Sequence, residues 1–164
     1  MTETMKENMI QPSITISLLP ANPRAPFVLG PDLHASMELA AKIGYPAFEL
    51  FPPNCEAIDV PSIRRWSQEL GIRLSTIGTG GGWVTNQWSL IDPDPGIRQS
   101  ALDYITRIME MASELEASAI VGSMQGKCGG RERASCVNLL GEQLTKLATV
   151  AQRIGRPLYY EPLN

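Results

Sequence analysis

The chain has 164 residues, 43% of them hydrophobic and 19% charged, which is enough apolar material to bury a core and too much for a disordered chain. A net charge of −3 offers no basic field to a phosphate backbone, so nucleic acid is not an expected partner. The three cysteines, Cys55, Cys128 and Cys136, form no C-x-x-C pair, which excludes the usual zinc and dithiol motifs and fits a reducing cytoplasm.

Residues 1–12 mix Lys6 with Glu3 and Glu7, lack the apolar run of a signal peptide, and are expected to be a disordered lead-in. No stretch approaches the roughly 18 to 20 consecutive apolar residues of a membrane span. The expected location is therefore the cytoplasm, without membrane contact. From residue 13 onward a helix-then-strand unit repeats. Ile14 to Leu19 supplies an opening strand. Leu39 to Ile43 carries the apolar stripe of a first helix, stopped by Gly44 before a strand at residues 47–51. Ile63 to Leu70 is a second helix, stopped by Gly71 before a strand at residues 72–77. In the third, Ile97, Ala101, Tyr104, Ile108, Ala112 and Leu115 fall three or four apart, and a strand at residues 118–123 follows. The fourth sets Val137, Leu140, Leu144, Leu147, Ala151 and Ile154 on one buried face, stops at Gly155 and leads to a strand at residues 158–161.

Glycine suits these stops because the residue after a helix adopts a left-handed conformation that costs glycine little. Alternating helices and strands require crossover connections and hence a parallel sheet, so the expected fold class is α/β, with about five strands and four helices. The Pro- and Gly-rich stretches mostly follow strands, on the side where parallel α/β folds carry function.

Several motifs fail on inspection. Gly78-Thr79-Gly80-Gly81-Gly82-Trp83 follows a strand, but Trp83 replaces the last glycine of a dinucleotide fingerprint and no helix is expected promptly after it. Gly122 to Cys128 resembles a phosphate loop, but its glycines are one residue too close and Cys128 stands where Ser or Thr would hold Mg²⁺. Lys127 is read as a solvated loop lysine. His34, the only histidine, lies at the start of the first helix and is read as a surface or capping residue. The C-terminal Tyr159-Tyr160-Glu161 is different. Alternation puts Tyr159 and Glu161 on one strand face, and a glutamate at the C-terminal end of a barrel strand reads as catalytic.

Taken together, Ile43-Gly44-Tyr45-Pro46-Ala47-Phe48-Glu49-Leu50, Glu69-Leu70-Gly71-Ile72, Gly78 to Val84, Val121 to Gly126 and Tyr160-Glu161-Pro162-Leu163-Asn164 resemble the xylose-isomerase-like TIM barrels. The resemblance implies that residues 13–164 are the N-terminal portion of such a barrel, ending after its fifth strand. It implies sugar or sugar phosphate isomerase or epimerase chemistry through an enediolate. In that family the fifth-strand glutamate is both a catalytic base and a ligand of a divalent metal, Mn²⁺, Mg²⁺ or Co²⁺, and both roles fall on Glu161. The remaining ligands, an aspartate, a histidine and a second glutamate, come from later strands, so this chain alone is expected to bind no metal and to be inactive. Exposed strand edges make self-association, or pairing with a missing C-terminal half, the expected remedy. Phe51, Trp83, Ser123, Gln125 and Asn164 are the expected substrate contacts. The related endonucleases use histidines where this chain has Gly78-Thr79-Gly80 and Ser123-Met124, which disfavours DNA repair. A keto-acid or inosose dehydratase of the same barrel and a non-catalytic flavodoxin-like binding module are the competing readings.

Overall fold

The computed structural model describes residues 10–20 and 26–163, and its five strands form one parallel sheet in which each strand lies beside the next in sequence. They are β1 (Ser13–Ser17), β2 (Ala47–Phe51), β3 (Arg73–Gly78), β4 (Ser118–Val121) and β5 (Leu158–Tyr160). The helices are α1 (Leu33–Lys42), α2 (Val60–Leu70), α3 (Gly81–Asn86), α4 (Pro95–Glu114) and α5 (Arg133–Ile154). Short 3₁₀ turns at Cys55–Ala57 and Ser123–Gln125 occupy two of the loops after strands.

A sheet ordered β1-β2-β3-β4-β5 with right-handed crossovers puts its long helices on one face and curls around the other, as in a TIM barrel. The flavodoxin-like alternative needs a reversal of strand order that would put helices on both faces, and the observed order has none. The fold is thus α/β, a partial TIM barrel. The helix count differs from expectation: α3 follows β3 after two residues, inside the glycine run where no prompt helix was expected.

Local chemistry accounts for the helix ends. Asp32, Asp59 and Asp94 cap α1, α2 and α4 by accepting from the amides of Ala35, Ser62 and Gly96 at 3.0, 3.2 and 2.7 Å. His34, half-buried in the first turn of α1, packs on Trp66 of α2 with ring centroids 4.8 Å apart. Gly71 and Gly155 end α2 and α5 in left-handed geometry, at φ 64° and 68°. At the end of α4 the same conformation falls on Glu116, at φ 58°.

Strand alternation divides the side chains. Ile16, Phe48, Leu50, Ile77, Ala119 and Val121 enter the core under Met37, Ala40, Ile63, Ile105, Ile108 and Ala112 of the helices. Thr15, Glu49, Thr76 and Ile120 occupy the concave face. The stripe of α4 is buried as expected, but that of α5 is only partly covered: Leu147 is buried while Val137 is 56% exposed. Among the described residues α5 packs chiefly on α4 and β5.

Candidate active site

A β-bulge sets the first part of the site. In the β2–β3 pairing, Phe48 lies opposite Leu74 and Glu49 opposite Thr76, so Ser75 is an extra residue in β3. Its hydroxyl donates to Phe48 O at 2.8 Å, and Thr76 is brought level with Glu49. Glu49 is then held from both sides. Thr15 Oγ1 donates to Glu49 Oε1 at 3.2 Å and Thr76 Oγ1 donates to Glu49 Oε2 at 3.0 Å. Burial pushes the Glu49 carboxyl above its ordinary range; the two threonine bonds oppose this, and the negative charge of Glu161 adds to it.

Glu49 faces a cleft of about 680 Å³ at the C-terminal mouth of the sheet. One wall is aromatic: Phe51 and Phe27 stack with centroids 4.8 Å apart beside Pro26. The other wall is Tyr159, Glu161, Pro162 and Leu163. Gly78, Gly80 and Gly122 line the space between. A Cβ on Gly80 would sit 2.6 Å from the Phe51 ring and 2.9 Å from Ser123 Oγ, and one on Gly122 would sit 2.8 Å from Glu161 Oε2. The glycine run that failed as a nucleotide motif therefore gives the cleft its depth. Thr79 pins its start, with both its amide and its hydroxyl donating to Ile120 O, at 3.1 and 2.9 Å.

The residues singled out from sequence are distributed unevenly. Glu161, Phe51 and Ser123 line the cleft. Trp83 lies on α3 and packs against the core, away from the lining. Gln125 also lies outside the lining and accepts a hydrogen bond from the Tyr160 hydroxyl, which ties the β4–α5 loop to β5. Asn164 lies outside the described residues. Lys127 is exposed and does not reach the cleft. Glu49, within the Ile43 to Leu50 segment that carries the resemblance, also lines the cleft, and sequence reasoning about the site does not find it. Its signal was a lone carboxylate inside an apolar strand.

Among the described residues no group of three or more His, Cys, Asp or Glu side chains is placed to hold a metal ion. Measured along β4, Glu49 is level with Ser118, whereas Glu161 follows the Val121–Tyr160 pair. Two carboxylates at different levels do not fit a resident divalent ion by themselves. No helix among the described residues is long and apolar enough to cross a membrane.

Comparison with known proteins agrees with the architecture. No curated protein sequence matches the chain significantly. Among solved structures, the chain is similar to a 3-keto-D-glucoside 4-epimerase from E. coli, with a TM-score of 0.66 and 19% identity over 92% of this chain and 56% of that one. An AP endonuclease, family 2, from Brucella melitensis gives 0.68 and 20% identity over 94% and 56%. A D-psicose 3-epimerase gives 0.65 and 16% over 94% and 53%. At these identities the likeness establishes the fold, and the chain spans a little over half the length of each structure. The family model for the xylose isomerase-like TIM barrel matches residues 37–164, most of the chain and every element from the middle of α1 to β5, and the protein belongs to that family.

Proposed function

We propose that the cleft is one wall of a sugar isomerase or epimerase centre in which Glu161 moves a proton at the carbon beside a carbonyl. One observation carries the reading: Glu161 stands just beyond the C-terminal end of β5 on the concave side, facing an aromatic wall across an open cleft. A carboxylate so placed takes the proton of a hydroxyketone to give an enediolate and returns it to the same face at the neighbouring carbon; inversion at the original carbon needs a second acid on the opposite face. The aromatic pair Phe27–Phe51 offers an apolar face to the C–H side of a sugar ring or chain, and Ser123 offers a hydroxyl to its oxygens.

In such chemistry a divalent ion, Mn²⁺, Mg²⁺ or Co²⁺, polarises the carbonyl when bound. Further ligands beyond Glu49 and Glu161 would be needed to hold it. The sheet is open between β5 and β1 among the described residues. Further β/α units closing that gap, from the protein's own continuation or from another chain, would complete the cavity, and their presence is expected to raise activity.

The test is exchange of solvent deuterium into D-fructose at the carbons beside its carbonyl, followed by mass spectrometry with Mn²⁺ present. The expected result is exchange by the wild-type protein once such further β/α units close the barrel, falling by a factor of about 10² or more in Glu161→Gln. Equal exchange by both closed barrels would remove Glu161 from the role, and no exchange by the closed wild-type barrel counts against the reading as a whole.

A further inference from the structure

We infer that Glu49 is a specificity-determining residue of the cleft: a braced carboxylate that accepts a hydrogen bond from a substrate hydroxyl and turns away a phosphorylated counterpart. The inference rests on the reading of the cleft as a sugar site, and three features of the molecule lead to it.

The first is the bracing. Thr15 and Thr76 reach Glu49 from the strands on either side, one donor to each carboxylate oxygen, at 3.2 and 3.0 Å. A carboxylate oxygen has two acceptor directions, so each oxygen keeps one after the threonine is satisfied. The carboxylate is thereby fixed in orientation, and it borders open space in the cleft. A held charged acceptor discriminates strongly for a donor, because an analogue lacking the hydroxyl leaves the acceptor desolvated and unpaired.

The second is what lies beside it. Phe51 is two residues further along the same strand face and stacks on Phe27, so an apolar wall adjoins the acceptor. A polyhydroxylated chain has this same pairing of features, with a C–H face on one side and hydroxyls on the other. The third is charge. Glu161 comes from the far wall and folds over Gly122, so a dianion entering the cleft meets carboxylates on both sides. A glutamate that merely filled a polar layer of the barrel wall would be satisfied by its two threonines, and its replacement by glutamine would leave the binding of an uncharged sugar unchanged.

The test is NMR titration of the full chain with D-fructose and, separately, with D-fructose 6-phosphate, for the wild type and for Glu49→Gln. The wild type is expected to bind fructose about tenfold or more tighter than its phosphate. In Glu49→Gln fructose should weaken by about tenfold and the preference should shrink to about threefold or less. A preference for the phosphate in the wild type, or an unchanged ratio in Glu49→Gln, overturns the inference and leaves the sugar reading standing. Binding of neither compound by the wild type overturns the sugar reading and this inference with it. A second variant guards against a folding defect. Thr15→Val with Thr76→Val keeps the charge and removes the braces, so fructose should weaken by about tenfold while the phosphate stays excluded. Wild-type fructose affinity in that double variant also overturns the inference.

Discussion

At Gly122 the backbone makes room for a carboxylate, since a Cβ there would lie 2.8 Å from Glu161 Oε2. Gly122→Ala is therefore expected to push the Glu161 side chain out of its position over β4. Deuterium exchange into fructose should fall at least as much as binding weakens. Glu49 makes a different, pH-dependent prediction. Its carboxyl is held above the ordinary value of 4.5, chiefly by burial. The stabilisation of its protonated form is fully present below that ordinary value and is lost as pH rises through the raised one. The stability of Glu49→Gln relative to the wild type should therefore increase from pH 4 to pH 7 in urea melts. A flat difference would mean that burial is not what governs this group.

These residues also mark where the sequence is readable. Glu161 was visible because it ends an apolar strand, where a position rule applies. Glu49 was not, because its meaning depends on the threonines opposite it, and those are placed by a register shift at Ser75 that strand periodicity does not reveal. Trp83 and Gln125 read from sequence as loop residues placed to contact substrate. Their directions are set by α3 and by the Tyr160 hydroxyl, neither of which a sequence pattern displays.

At the scale of elements, strands and helix ends came through within a residue or two because each carries its own periodicity and stop, whereas the helices begin two to six residues before the first residue of their apolar stripes. Helix α3 did not come through. Its sequence, Gly81-Gly82-Trp83-Val84-Thr85-Asn86, has poor helix propensity, and packing imposes the turn: a Cβ on Gly81 would collide with Pro52 O and one on Gly82 would sit 2.8 Å from the Met124 sulfur. The stop after α4 yields a stability prediction. Glu116 holds a left-handed conformation at φ 58° that glycine adopts more readily, so Glu116→Gly should stabilise the protein by about 1 kcal/mol. Gly155→Ala, at φ 68°, should destabilise it by about the same amount. Paired urea titrations check both signs. On α5, Leu147→Ala should cost about 2–4 kcal/mol because that side chain is buried.

For the molecule as a whole, the sheet and α5 stop short of enclosing what they present. Val137, Tyr159, Tyr160 and Leu163 are exposed large apolar or aromatic side chains along the β5–α5 border. The protein is expected to associate at micromolar concentration, and Val137→Glu combined with Leu163→Glu should shift it toward monomer in sedimentation velocity. A monomeric wild type would show that this border is tolerated in water.

At the opposite border the chain has already used part of its own edge. The amide of Ser17 donates to Leu29 O at 2.9 Å, and Ile16 and Leu29 form a parallel bridge on the side of β1 that β2 leaves free. Alternation leaves the outward amides of Ser13 and Thr15 as the remaining docking points. Any strand that zips onto β1 must therefore seat low and stop before Ser17. The returning segment acts as a register gauge, fixing how far a closing partner can slide toward the mouth.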